Sequence, residues 1–397
     1  MTIVDIILKT KIKAKHIETG EFMKLAVISG KGIFTPENII TNDELVESFN
    51  TYVDEENAKN KHSIQAGEME ALTHSNADFI FNASGIRQRY VMNKTGILDP
   101  EIMHPQLRQR SDDEPSIMAE MALDACKKAL DDAGKTTADV DAVIVACSNL
   151  ERAYPAVSIE IQELLGISGF SFDMNVACSS ATFGIQMASN MITAGSVRSV
   201  LIVSPEICSA HLEWRDRDCH FIFGDVCTAV LLEEKSLVTK PHFDVISTRC
   251  ATQFSNNIRN NNGYLRRTRP DGMTDRRDMQ FMQNGRKVFK EVLPIVGKHM
   301  LEHLHDENLQ GDDMKRLWLH QANKTMNDFI GKKVMGRTPT TDEQPNILQD
   351  YANTSSAGSI IAFAKYCEDL SDGDLGIICS FGAGYSVGSV LLKRSAS

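Results

Sequence analysis

The sequence predicts a layered α/β fold assembled from two halves of similar plan. Three observations predict it. Apolar, β-branched runs alternate with amphipathic helical stretches along the chain. From about residue 237 the order of strand, helix, strand and closing hairpin begins again, with no short repeat in the sequence. At 397 residues the chain is also too long for one simple core.

Met23 to Ser29 reads as the first core strand, with Gly30-Lys31-Gly32 as a turn. Residues 1–22 are expected to be an N-terminal extension. Their short apolar patch precedes the lysines, which is not the order of a signal peptide. Thr41 or Asn42 caps a helix, and residues 51–75 read as a polar, irregular surface insertion. A second polar insertion with three prolines spans 93–115. An amphipathic helix from Ser116 to Ala133 leads to a strand from Val140 to Cys147 and a helix from Ile159 to Leu165. Apolar strands follow at 170–176, 200–203 and 229–232. The second half, 237–397 against 23–236, supplies strands at 243–248, 316–319, 375–380 and 387–392. Its helices are expected at 285–305, 323–335 and 356–366, after a loop rich in Asn and Arg at 253–277.

A chain that is 42% hydrophobic and 24% charged has the composition of a soluble globular protein. Its net charge of -11 argues against general nucleic-acid binding. Nine scattered cysteines without a CxxC pair argue against a disulfide framework or a structural zinc site, and place the chain in a reducing cytosol.

Cys178 sits in Asn175-Val176-Ala177-Cys178-Ser179-Ser180, where a strand turns into a buried helix. Unpaired N–H groups and the positive helix end collect there, and such a place is expected to lower a thiol's pKa and make it a nucleophile. By position alone it could equally be a core cysteine. His320 ends an apolar strand in His320-Gln321-Ala322-Asn323; Asn353 precedes a helix in Asn353-Thr354-Ser355-Ser356; Gly382-Ala383-Gly384 lies between two late strands. Taken singly these would be a structural histidine, a helix cap and a turn.

Taken together, VACSSATFG, HQAN, NTSSAGS and FGAGYSVGS resemble, in order and approximate spacing, the β-ketoacyl-acyl-carrier-protein synthase III family of thiolase-fold condensing enzymes. The resemblance runs from Met23 to Lys393 and includes SGIRQR at 84–89 and FGD at 223–225. It implies a five-layered αβαβα fold. It implies that Cys178 takes an acyl group from a thioester, that the backbone N–H groups of Cys178 and Ala383 form the oxyanion hole, and that His320 and Asn353 stabilise the enolate left when malonyl-carrier loses CO₂. No permanently bound cofactor or metal is implied; substrates would ride on coenzyme A or on acyl carrier protein. Lys290, Lys332 and Lys333 match positions that dock the carrier, although a solvated face is the ordinary role of such lysines. Tyr154 matches an aromatic that crosses a homodimer into the acyl pocket.

Departures point to an acyl donor longer than acetyl, or one held on a carrier protein. The family's adenine-clamping tryptophan and arginine match Phe79 and Ala210, and an arginine after the catalytic histidine is Thr325. The competing enzyme readings are a non-decarboxylating thiolase, with Cys379 as second thiol, and a head-to-head condensing enzyme using Glu151 as base. A partner subunit without chemistry is the non-enzymatic alternative, against which the intact Cys178, His320 and Asn353 argue.

Overall fold

The computed structural model describes residues 24–268 and 276–396; the expected extension at 1–22 lies outside them. In the first half, β1 (Ala26–Phe34) is followed by β2 (Asn38–Thr41), β3 (Gln88–Val91), β4 (Ala142–Ala146), β5 (Phe170–Met174), β6 (Ser199–Ile207) and β7 (Asp225–Glu234). The second half carries β8 (His242–Ser255), the short β9 (Ile258–Arg259) and β10 (Met282–Gln283), then β11 (Met314–Leu319), β12 (Leu375–Gly382) and β13 (Gly384–Ser395).

Nine strands form one hydrogen-bonded sheet system, ordered β11-β12-β13-β8-β1-β7-β6-β4-β5. Read outward from its centre, the two sides repeat. On one side β1 is antiparallel to β7 and β7 to β6, and β6 continues parallel to β4. On the other, β8, β13 and β12 are antiparallel and β12 continues parallel to β11. The sides meet where Val27 and Ile28 pair with Asp244 and Phe243.

Side-chain alternation then builds the layers. Ala142, Ile144 and Ala146 face a central core, while Val143 and Val145 face an outer one. Trp318 and Ile378 face the same central core from the second half, with Leu317, Leu319, Ile377 and Cys379 on its outer side. The Ser180–Thr193 and Ala357–Lys365 helices fill the central layer. The Ile117–Ala133 and Val157–Leu165 helices cover one outside face; Gly285–Asp306 and Lys324–Met335 cover the other. These are the five αβαβα layers implied by the resemblance.

Both insertions are more ordered than expected. The Asn42–Lys59 helix runs well into the first, opened by a capping box between Thr41 and Glu44. Leu45, Phe49 and Val53 recur every four residues on its buried face, so the charged run before residue 60 is the solvent face of a helix. Within 93–115, Ile97 and Met103 are fully buried in a fourth cluster with Trp214 and Phe221. Strands also run further than their apolar centres suggested; β8 reaches Ser255 because β13 pairs along its length. No helix among the described residues is long and apolar enough to cross a membrane.

In the central layer Phe363 is fully buried and meets Trp318 and Phe243 edge-on, at centroid distances of 5.0 and 5.1 Å. Phe363→Ala is expected to cost about 3–5 kcal/mol, read as a lowered urea midpoint with an unchanged slope.

Candidate active site

β5 ends at Met174 and the next helix starts at Ser180, so the chain must reverse within five residues. Ala177 takes a left-handed φ of 48° to do so. Its N–H donates to Asn175 Oδ1 at 2.8 Å, and Asn175 Nδ2 donates to the Ser148 carbonyl at 2.7 Å. Ser180 Oγ closes the turn by accepting from Val176 N–H at 2.8 Å. Cys178 is thereby held at the lip of the helix, beside Gly382 of β12. A Cβ on Gly382 would stand 2.6 Å from Cys178 Cβ and 3.0 Å from Sγ. Glycine is required there by close approach.

The second half delivers its groups by the same device. His320 follows β11 and donates its N–H to the Cys379 carbonyl at 2.7 Å. Its ring meets Phe381 edge-on at 5.1 Å. Asn353 lies between Ala352 and Thr354, and Ala352 and Ser355 have left-handed φ values of 56° and 51°. Asn353 Oδ1 accepts from Ser355 N–H at 2.9 Å, which leaves Nδ2 as the donating end of the carboxamide.

Cys178, His320, Asn353, Phe381 and Gly382 share the wall of one cavity of about 650 Å³. Phe79, Phe221, Phe223, Phe281 and Phe289 make much of the remainder apolar, while Asp216, Arg277 and Arg286 supply charge. Arg277 is paired with Asp216 at 2.8 Å.

The thiol departs from expectation. Burial pushes Cys178 up to about 11, despite its place at a helix start. A hydrogen bond from Ser355 Oγ at 3.5 Å opposes burial; the Glu206 carboxylate adds to it; the backbones of Ala383 and of Cys178 itself, each hydrogen-bonded to the sulfur, oppose it. Removing the sulfur from water outweighs the helix end. Burial also drives His320 down to about 4, against a smaller opposing effect of the Ser355 backbone, so its imidazole is neutral at physiological pH.

Other expected residues fall in varied places. Arg217, not Ala210, stands over the Phe79 ring, 4.3 Å from its centroid. Thr325 lies in the first turn of its helix, its N–H capped by Asn323 Oδ1 at 2.9 Å. Lys290 is exposed on the helix whose Gly285, Arg286 and Phe289 line the cavity. Lys332 and Lys333 are exposed in the last turn of theirs, six and seven residues beyond cavity-lining Met326, about 9 Å of helix rise. Tyr154 is 85% exposed. Glu151 accepts from Met118 N–H at 3.0 Å and does not line the cavity. Cys379 is fully buried in the outer cluster. Ser355, Phe381 and Glu206 went unnoticed in the sequence; nothing in the pattern of a serine run separates the one facing a thiol from its neighbours.

Comparisons agree with this architecture. Two family models match: the 3-oxoacyl-[acyl-carrier-protein] synthase III model over residues 172–253, and its C-terminal counterpart over 304–394. A β-ketodecanoyl-[acyl-carrier-protein] synthase of Pseudomonas aeruginosa is 55% identical over 350 residues, covering 88% of this chain and 100% of that one. A β-ketoacyl-[acyl-carrier-protein] synthase III of Acidiphilium cryptum is 31% identical over 379 residues, covering 94% and 100%. Among solved structures, the 3-oxoacyl-[acyl-carrier-protein] synthase III of Aquifex aeolicus superposes with a TM-score of 0.72 at 22% identity, covering 93% of this chain and 99% of that one.

Gly382→Ala is expected to leave the protein folded but displace the thiol, cutting iodoacetamide labelling of Cys178 by roughly a hundredfold, read by intact mass. In the native protein, labelling should rise about tenfold per pH unit from neutrality toward the raised pKa, because only the thiolate reacts. A plateau already at pH 7 would contradict the burial argument. Turnover should show no acid limb near 6.5 arising from His320, since that ring stays neutral until about pH 4.

Proposed function

Because the chain belongs to the 3-oxoacyl-[acyl-carrier-protein] synthase III family of acyltransferases, we propose that this cavity condenses an acyl thioester longer than acetyl with malonyl-acyl carrier protein, releasing CO₂, in fatty-acid or related lipid synthesis. The observation that carries the reading is the meeting of Cys178, His320 and Asn353, from both halves, on one cavity wall.

The Cys178 sulfur attacks the donor's thioester carbonyl. Its proton must leave first, and neutral His320 is a base on the same wall. Negative charge on the tetrahedral oxygen falls to the N–H groups of Cys178 and Ala383. The carrier thiol departs with the proton, leaving an acyl-cysteine. Malonyl-carrier then loses CO₂; the electron pair of the broken C–C bond becomes an enolate. His320 and Asn353 Nδ2 donate to the enolate oxygen, where charge grows only as CO₂ departs. The enolate carbon attacks the acyl-cysteine, expels the thiolate and leaves as a β-ketoacyl-carrier.

Donor length is supported by the apolar cavity and by the 55% identical relative. A β-ketodecanoyl product implies an octanoyl donor, since malonyl contributes two carbons. The Arg217–Phe79 pair reinstates an arginine beside an aromatic at the position where Ala210 had argued against coenzyme A. Octanoyl-CoA is therefore a donor to test beside octanoyl-carrier. We also propose a cytosolic homodimer with no permanently bound cofactor. Strand β5 is an open edge of the sheet, and Tyr154 and Phe170 are exposed near it, which supports pairing there. Lys290 at the cavity rim, with Lys332 and Lys333 beyond it, is proposed to meet the acidic carrier.

Incubation with mixed acyl-CoAs should leave a medium-chain adduct on Cys178, visible by intact mass, and a strong preference for acetyl would reject the donor assignment. Asn353→Ala should retain the adduct yet slow CO₂ release from malonyl-carrier by about 10²–10³-fold. Lys290→Glu should raise KM for malonyl-carrier several-fold at unchanged kcat, and an unchanged KM would remove it from the docking surface.

A further inference from the structure

We propose that Glu206 is the positioning residue that holds the thiol turn of the first half and the carboxamide loop of the second in mutual register. Glu206 lies near the end of β6, is 1% exposed, and does not line the cavity, so it touches no substrate. It is a buried carboxylate that the condensation chemistry leaves without a role.

Its partners come from both halves. From the first, Ser148 donates its N–H at 3.0 Å and its Oγ–H at 2.5 Å. From the second, Ser356 donates its N–H at 3.2 Å and its Oγ–H at 2.5 Å. Each partner is linked to a reacting group through a short chain of contacts. The Ser148 carbonyl holds Asn175, whose Oδ1 holds the left-handed Ala177 next to Cys178. Ser356 follows Ser355, whose N–H orients Asn353 and whose hydroxyl reaches the Cys178 sulfur. One carboxylate thus clamps two strained turns that have no continuous backbone between them.

The choice of a carboxylate is explained by this geometry. Four N–H and O–H donors converge on it, with the Cys208 thiol as a weaker fifth at 3.8 Å, and an ionised carboxyl accepts from all of them. A carboxamide of equal length turns one end into a donor facing donors. Burial raises the Glu206 pKa while the Ser148 and Ser356 hydrogen bonds lower it. When ionised, Glu206 also raises the pKa of Cys178, which gives the clamp an electrostatic signature readable at the sulfur.

This inference rests on the condensing reading, and the test separates the two. The variants are Glu206→Gln and, with the carboxylate intact, the paired Ser148→Ala and Ser356→Ala. In Glu206→Gln, kcat for condensation of octanoyl-CoA with malonyl-acyl carrier protein should fall about a hundredfold, with KM for the malonyl carrier within about twofold. The pH profile of Cys178 alkylation should move to lower pH, because a neighbouring negative charge is gone. The serine pair should lower kcat similarly, and adding it to Glu206→Gln should cost little more, as members of one unit do. A Glu206→Gln protein with a lowered melting temperature but native kcat and alkylation profile would overturn the proposal. If Glu206→Gln does not fold, the serine pair decides: native kcat overturns, a loss supports. Failure of the wild-type protein to form an acyl-cysteine or release CO₂ would instead sink the condensing reading, while the alkylation profile still decides the clamp.

Discussion

The structure depends on one shared apolar layer, into which both halves send a helix whose leading segment reaches the other's: Ser355 Oγ donates to Cys178 Sγ. The Ser180–Thr193 and Ala357–Lys365 helices lie in one apolar layer, packed by Ala181, Ile185, Ala188, Ile360 and Ile361 between the two sides of the sheet. Their starts meet where the sides face each other, and the segments before those starts carry Cys178 and Asn353. The cavity wall is thus a property of the seam. The first half brings Cys178 to that wall and the second brings His320 and Asn353, and the packing of the central layer sets how they face one another.

Three left-handed, non-glycine residues mark this seam: Ala177, Ala352 and Ser355. Each such conformation costs on the order of 1–3 kcal/mol. The backbone N–H groups around them donate to Asn175 Oδ1, Asn353 Oδ1 and Ser180 Oγ, which offsets that cost and fixes the geometry. Burial then sets protonation. The same dehydration raises the thiol and keeps the imidazole uncharged on one cavity wall. A helix start did not by itself make a low-pKa cysteine, because water was removed faster than positive potential was added.

Much of this was legible in the sequence. Alternating apolar strands and capped helices announce the layers, and Cys178, His320 and Asn353 stand in motifs whose order identifies the pattern. What escaped depends on contacts between distant residues. Polarity alone made 51–75 read as an irregular surface, whereas a helix with apolar residues every fourth position enters it. Motif spacing matched the arginine position to Ala210, and only the folded chain shows Arg217 standing over the Phe79 ring. Glu206 sits in an apolar strand as one acid among many, and only folding shows that serines from both halves enclose it.

The central layer has one further consequence. Its two helices turn their apolar faces inward, Ala181, Ile185 and Ala188 of one and Ile360 and Ile361 of the other, so each half serves as the other's oil. A chain cut between β7 and β8 would yield two pieces, each with an uncovered greasy face. Such pieces would reassemble or precipitate rather than persist as independent proteins. The duplicated plan therefore records a pairing that can no longer be undone.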